Sequence, residues 1–181
     1  MDAAEAVDIS CPFAQCQAYL TQIALFFCLW SCEYTKAILR MRTVQSHLKD
    51  LQFHDADGVI SHNDPPKTVL CAWAVNLFLD MHNNSVQDKS TTTEATNLNH
   101  SDPISAADWR FLHLCSHHAE PDTTMCSYFL TKCVFTTSAT ITHIVSLPLL
   151  HAKNIGFQPL GFYPHKIGSH SLYLGGAMTL H

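Results

Sequence analysis

The sequence predicts an α+β domain, mainly helical, with a small antiparallel sheet in its middle. Three observations predict it. From Ile9 to Cys32 no residue is charged, and the apolar positions recur at helical spacing. Further on, an alternating stretch, "AVNLFLD", is followed by "MHNNS" and then by the threonine-rich "STTTEATN", the pattern of two strands about a turn. After Ser101-Asp102-Pro103 the spacing becomes helical again. With 181 residues, 47% of them hydrophobic, the chain has apolar mass for one domain and a buried core. Residues 12–181 are assigned to that domain and residues 1–11 to an N-terminal tail.

The first helix is expected over about Pro12 to Tyr34. Phe13, Cys16, Ala18, Tyr19, Ile23, Phe26, Phe27 and Trp30 supply its apolar positions, and Pro12 suits a first turn. Being apolar nearly all round, it should lie deep. Gln15, Gln17, Thr21 and Gln22 interrupt it before it reaches the ~20 apolar residues that cross a bilayer, so no membrane anchor is expected. The leading residues are acidic, unlike a secretory signal, which begins with positive charge.

Next, "AILRMRTVQSHLKDLQFHDADG" alternates irregularly and ends in Asp57-Gly58, which predicts one or two strands closed by a turn; Ser61 to Lys67 reads as a polar loop. A strand is expected at Ala74 to Asp80. The Asn83-Asn84 pair tolerates the left-handed conformations of a tight hairpin, and the β-branched residues of "STTTEATN" suit a pleated surface. A helix should run from Pro103 to about His118, broken by Glu120-Pro121-Asp122, with "MCSYFL" extended after it. "TSATITHIVSLPLLHAKN" reads as another helix, kinked or shortened at Pro148. Gly156 to Pro164 is a loop, and Ser169 or His170 opens a last helix.

The formal charge is −5, from 10 basic and 15 acidic side chains, so bulk electrostatics do not advertise a polyanion partner. Its distribution is more telling. Lys36, Arg40, Arg42 and Lys49 form a segment without an acid, and from Thr123 to His181 there are lysines but no carboxylate. Protonating some of the 13 histidines would strengthen any phosphate affinity at lower pH. Charged residues make up only 14% of the chain, which leaves apolar surface for a partner or for self-association. The eight cysteines include no Cys-x-x-Cys pair, and Cys11, Cys16, Cys28 and Cys32 lie in or beside one apolar helical pattern. They read as reduced core residues of an intracellular protein.

Few catalytic patterns find an anchor. His113 and His117 share one helix face, the geometry of two metal ligands, but no third ligand is marked, and exposed helix histidines are common. No metal and no cofactor is therefore expected. Glycine-rich phosphate cradles are absent, and Gly175-Gly176 more simply lets another backbone approach. No Gly-x-Ser-x-Gly turn exposes a serine nucleophile, and no small-molecule substrate is indicated.

The sharper signal is the terminal "SHSLYLGGAMTLH". On a helix, a histidine and the residue three positions later project from one face, so a His-x-x-Arg pair can offer a donor and a guanidinium to one phosphate. Here that pair is His170 and Tyr173.

The order of a helix ending "FFCLWSCEYTK", a small sheet with the turn of "LFLDMHNNS", a helix, "PDTTMCSYF", a helix, and then "GFYPHKIGSHSLYLGGAMTLH" resembles the catalytic domain of tyrosine recombinases, the phage-integrase-like proteins, in the variety carried by mobile elements of eukaryotes. The resemblance runs from about residue 12 to the end, and the terminal block is its most specific part. It implies DNA breaking and rejoining, with two arginines, a lysine, a histidine and a further histidine or tryptophan around the scissile phosphate and a tyrosine that attacks it. His170 matches the family's histidine. Tyr173 and Trp30 stand where it has arginines, and Asn83 lies near the position of the hairpin lysine.

The resemblance also implies that the last histidine or tryptophan and the nucleophilic tyrosine lie beyond His181, so the domain is expected to be incomplete at its C-terminus. Neutral side chains cannot replace forked guanidiniums on a pentacovalent phosphoryl group, and one such contact is worth on the order of 3 kcal/mol. A decayed domain without strand cleavage is the expectation, binding duplex DNA weakly through Lys36, Arg40, Arg42 and Lys166, in the nucleus if the source is eukaryotic. The rival expectation is a non-enzymatic helical interaction domain; a metal module on His113 and His117 and a membrane-anchored protein rank behind it.

Overall fold

In the computed structural model, which describes residues 11–29, 45–61, 64–81, 87–96, 102–129, 136–156, 163–166 and 168, the first helix, α1, spans Pro12–Phe26. It buries Cys16, Leu20, Ile23 and Ala24, as its apolar pattern requires. It stops short of the expected end. Cys28 takes a left-handed conformation at φ 50, the Leu29 N–H donates to the Ala24 carbonyl at 2.9 Å, and the Cys28 N–H donates to that of Leu25 at 3.4 Å. This is a Schellman cap built on a non-glycine residue, and it satisfies carbonyls that a continuing helix would otherwise have used. Residues 27–29 are thus a correction to the predicted helix, and residues 30–34 lie outside the described set.

Strands β1 (Leu51–Asp55), β2 (Gly58–Val59), β3 (Ala74–Met81) and β4 (Gln87–Glu94) form one antiparallel sheet in the order β2-β1-β3-β4. The register pairs Leu51 with Leu77 and Phe53 with Val75, so one face is apolar and buried. Gln52, His54, Asn76 and Phe78 alternate onto the other face, where Asn76 Nδ2 lies 2.9 Å from His54 Nε2. Asp55 Oδ1 closes the β1–β2 turn by accepting from the N–H groups of Asp57 and Gly58 at 2.9 and 3.1 Å. Gly58 sits at φ 128, where a side chain would strain the backbone although no atom crowds it. The predicted polar loop gives way to a one-sided 3-10 stretch from Pro66 to Cys71.

Helix α2, Pro103–Ser116, covers the apolar face, with the Phe111 ring edge-on to Phe53 at 5.3 Å. Its start follows the predicted signal. Pro103 opens the first turn, and the Asp102 carboxylate accepts from Ser105 N–H at 2.8 Å on one oxygen and from Thr96 N–H at 2.8 Å on the other. One cap thereby ties the end of β4 to the start of α2. The helix ends in a second Schellman cap, with His118 at φ 56 and the Ala119 N–H donating to Leu114 at 3.1 Å.

Ser127–Phe129 (β5) pairs antiparallel with Thr136–Ser138 (β6), so the start of the helix predicted over "TSATITHIVSLPLLHAKN" is a strand. The Ala139 N–H prolongs that ladder to the Cys126 carbonyl at 2.8 Å, and only then does α3, Ile141–Ile155, begin. Pro148 neither ends nor shortens it. Nearby, the buried Gln17 of α1 donates from Nε2 to the His143 carbonyl and to Ser146 Oγ, locking α1 to α3. Residues 46–49 run beside 121–125: Leu48 N–H donates to Thr123, Lys49 N–H to Pro121 and Met125 N–H to Ser46, each at 2.9 Å. Lys49 Nζ meets Asp122 Oδ1 at 2.6 Å over this strap. Side chains of α1, the sheet, α2, β5 and α3 share one core. Among the described residues no helix is long and apolar enough to cross a membrane.

Candidate functional site

Of the positions marked in the sequence, Trp30, Asn83, His170, Tyr173, Lys36, Arg40 and Arg42 lie outside the described residues. Their flanks are described in part. Trp30 follows the buried Leu29, and Asn83 belongs to segment 82–86, which joins β3 to β4 beyond the pair Met81 and Gln87. Lys166 is described: it is exposed at the end of the turn Pro164–Lys166, its N–H donating to the Tyr163 carbonyl at 3.0 Å.

The described residues assemble a different feature, a cavity of about 300 Å³ between α1 and α2. Pro12, Gln15, Cys16 and Tyr19 recur at spacings of three and four and line it from α1; Trp109, Leu112, His113 and Ser116 do so from α2. The rings of Tyr19 and Trp109 lie parallel within 4°, centroids 6.2 Å apart. Trp109 is 54% exposed and forms the rim.

Arg110, only 2% exposed, lies at the floor. Its Nε–H donates to the Met125 carbonyl at 2.7 Å, while Nη2 is buried with no acceptor. No carboxylate pairs with it among the described residues; the thiols of Cys16 and Cys126 and the His113 imidazole are titratable neighbours. Burial pulls its pKa down, yet a guanidinium does not deprotonate in proteins, so the cavity floor carries a cation without an anion.

The surrounding groups stay neutral. Burial pushes the Cys16 thiol up to about 11, against the opposing pull of Arg110, so it is no thiolate nucleophile at neutral pH. Burial, then Arg110 and then His117, depresses His113 to about 4. Its Nε2 accepts from the Phe129 N–H at 3.5 Å, which assigns the proton of the neutral ring to Nδ1. His117 stands 5.0 Å from His113, ring to ring, as the helical spacing predicts, and stacks on Phe129 at 4.6 Å. Among the described residues no three His, Cys, Asp or Glu side chains are grouped to hold a metal ion.

Scanned against protein-family models, curated proteins and solved structures, the chain matches none.

Arg110 and Asp108 are the residues that sequence reasoning passed over. In "AADWRFLHL", Ala107, Phe111 and Leu114 mark the buried stripe, and Arg110 falls inside it, three after Ala107 and four before Leu114. That was the available signal. Asp108 is buried as well, with Oδ1 unpartnered, and burial followed by the nearby Asp102 pushes it up to about 8.

Proposed function

We propose that this chain is an intracellular tyrosine-recombinase-like domain that has lost strand cleavage and retains at most duplex DNA binding, in the nucleus if the source is eukaryotic. The observation that carries it is the order of elements ahead of the terminal block: a buried helix followed in sequence by "LWSCEYTK", an antiparallel β3–β4 pair joined through the segment that contains "HNNS", a helix, and then the sequence "KIGSHSLYLGG" with His170. Trp30 and Tyr173 at the arginine positions leave the transition-state charge without its forked donors. Exposed Lys166 and the acid-free run of Lys36, Arg40 and Arg42 offer the phosphate contacts.

Fluorescence anisotropy with a labelled duplex tests this. Affinity should fall steeply and log-linearly with salt, and each of Lys36→Ala, Arg40→Ala and Lys166→Ala should reduce the slope by about 1. No binding at low salt, or binding indifferent to salt, would remove the nucleic-acid role and leave a helical interaction domain. A covalent protein–DNA adduct on a nicked substrate would instead overturn the loss of cleavage.

A further inference from the structure

We propose that the cavity between α1 and α2 binds a small aromatic carboxylate, with its anionic head on Arg110 and its ring alongside Tyr19 and Trp109. The charge arithmetic selects the head group. Arg110 is the cation among the described lining residues, and no carboxylate pairs with it among the described residues; His113 beside it is neutral at physiological pH. One unpaired guanidinium matches a monoanion, whereas a phosphate monoester, a dianion near neutrality, would want a second positive group. Nε is committed to the Met125 carbonyl and Nη2 is closed off from solvent without an acceptor, so the head group meets the guanidinium as a charge partner at the cavity wall and not as a bidentate fork.

The walls select the body. Pro12, Tyr19, Leu112 and Trp109 present apolar surface, and the two aromatic rings lie in parallel planes, an orientation suited to a flat ring. A cavity of about 300 Å³ is at the small end of ligand sites, room for one or two fused rings and too little for a nucleotide. The same burial explains why the site can bind a carboxylate from water: a low-dielectric surround strengthens the pairing, and the cation's own desolvation has already been met in folding.

The nucleic-acid role plays no part here, because the cavity shares no residue with the proposed phosphate contacts. The full chain is titrated with naphthoate and with naphthamide, its neutral isostere, by calorimetry and ligand-observed NMR. Naphthoate should bind about tenfold more tightly than naphthamide. Trp109→Ala, at a half-exposed position the fold tolerates, should weaken both about fivefold. Arg110→Met should abolish the preference for acid over amide; should that variant fail to fold, the wild-type ratio and Trp109→Ala still decide. Equal affinities for acid and amide, no binding of naphthoate by the wild-type protein, or binding that Trp109→Ala leaves unchanged would each overturn the assignment.

Discussion

Asp108 and His113 oppose each other in how they tie folding to pH. The Asp108 carboxyl rises from 3.8 to about 8 on burial, so between those values the folded chain keeps a proton that the unfolded chain has released, and stability falls as pH rises. His113 drops from 6.5 to about 4, so between those values the unfolded chain binds a proton that the folded chain refuses, and stability rises with pH. The two slopes cancel from about 4 to 6.5, leaving a decline from 6.5 to about 8 that one proton limits to ~2 kcal/mol. Urea midpoints followed by circular dichroism across this range should show the plateau and the decline. Asp108→Asn should remove the decline and leave a rise below 6.5; an unchanged profile would acquit Asp108. Arg110 and His113 were hard to read from sequence because their partners come from a later segment: Arg110 is fixed by the Met125 carbonyl, and His113 accepts from the Phe129 N–H. What the sequence does show is that a charged residue interrupts an apolar stripe.

At the scale of elements, two of the three long helices close on an L-residue in the left-handed region, Cys28 after α1 and His118 after α2, whereas α3 closes on Gly156 at φ 98. Such residues cost roughly 1–2 kcal/mol there, against a smaller loss of unfolded-chain entropy for glycine. Cys28→Gly and His118→Gly should therefore each raise stability by about 0.5–1 kcal/mol, read as higher urea midpoints. A lower midpoint for Cys28→Gly would mean that the thiol's contact with the Leu25 carbonyl, 3.8 Å away, matters more than the backbone. Helix starts were legible, since Pro12 and Asp102-Pro103 are chemical signals at the position they mark. These ends were not, because a Schellman cap without glycine leaves no trace in composition. The hairpin of β3 and β4 was visible in alternation and turn chemistry. β6 was not, because "TTSAT" suits strand or helix until β5 arrives to pair with it.

At the scale of the whole molecule, the α+β class was legible from periodicity alone, while the candidate recombinase positions depend on a resemblance in segments beyond the described residues. The cavity was illegible because it exists only where two helices, far apart in sequence, present one face to each other. The strap of residues 46–49 on 121–125 is equally non-local, and it closes over a stretch of chain that contains the entire four-stranded sheet and α2. Contacts of that range are entropically late, since the intervening elements must be in position before the ends can meet. Lys49→Pro, which removes the amide that donates to Pro121, should accelerate unfolding several-fold in stopped-flow urea jumps while leaving the refolding limb nearly unchanged. The strap is then a clasp fastened after the barrier has been crossed: it contributes little to how quickly the native state is reached and a good deal to how long a molecule, once there, survives.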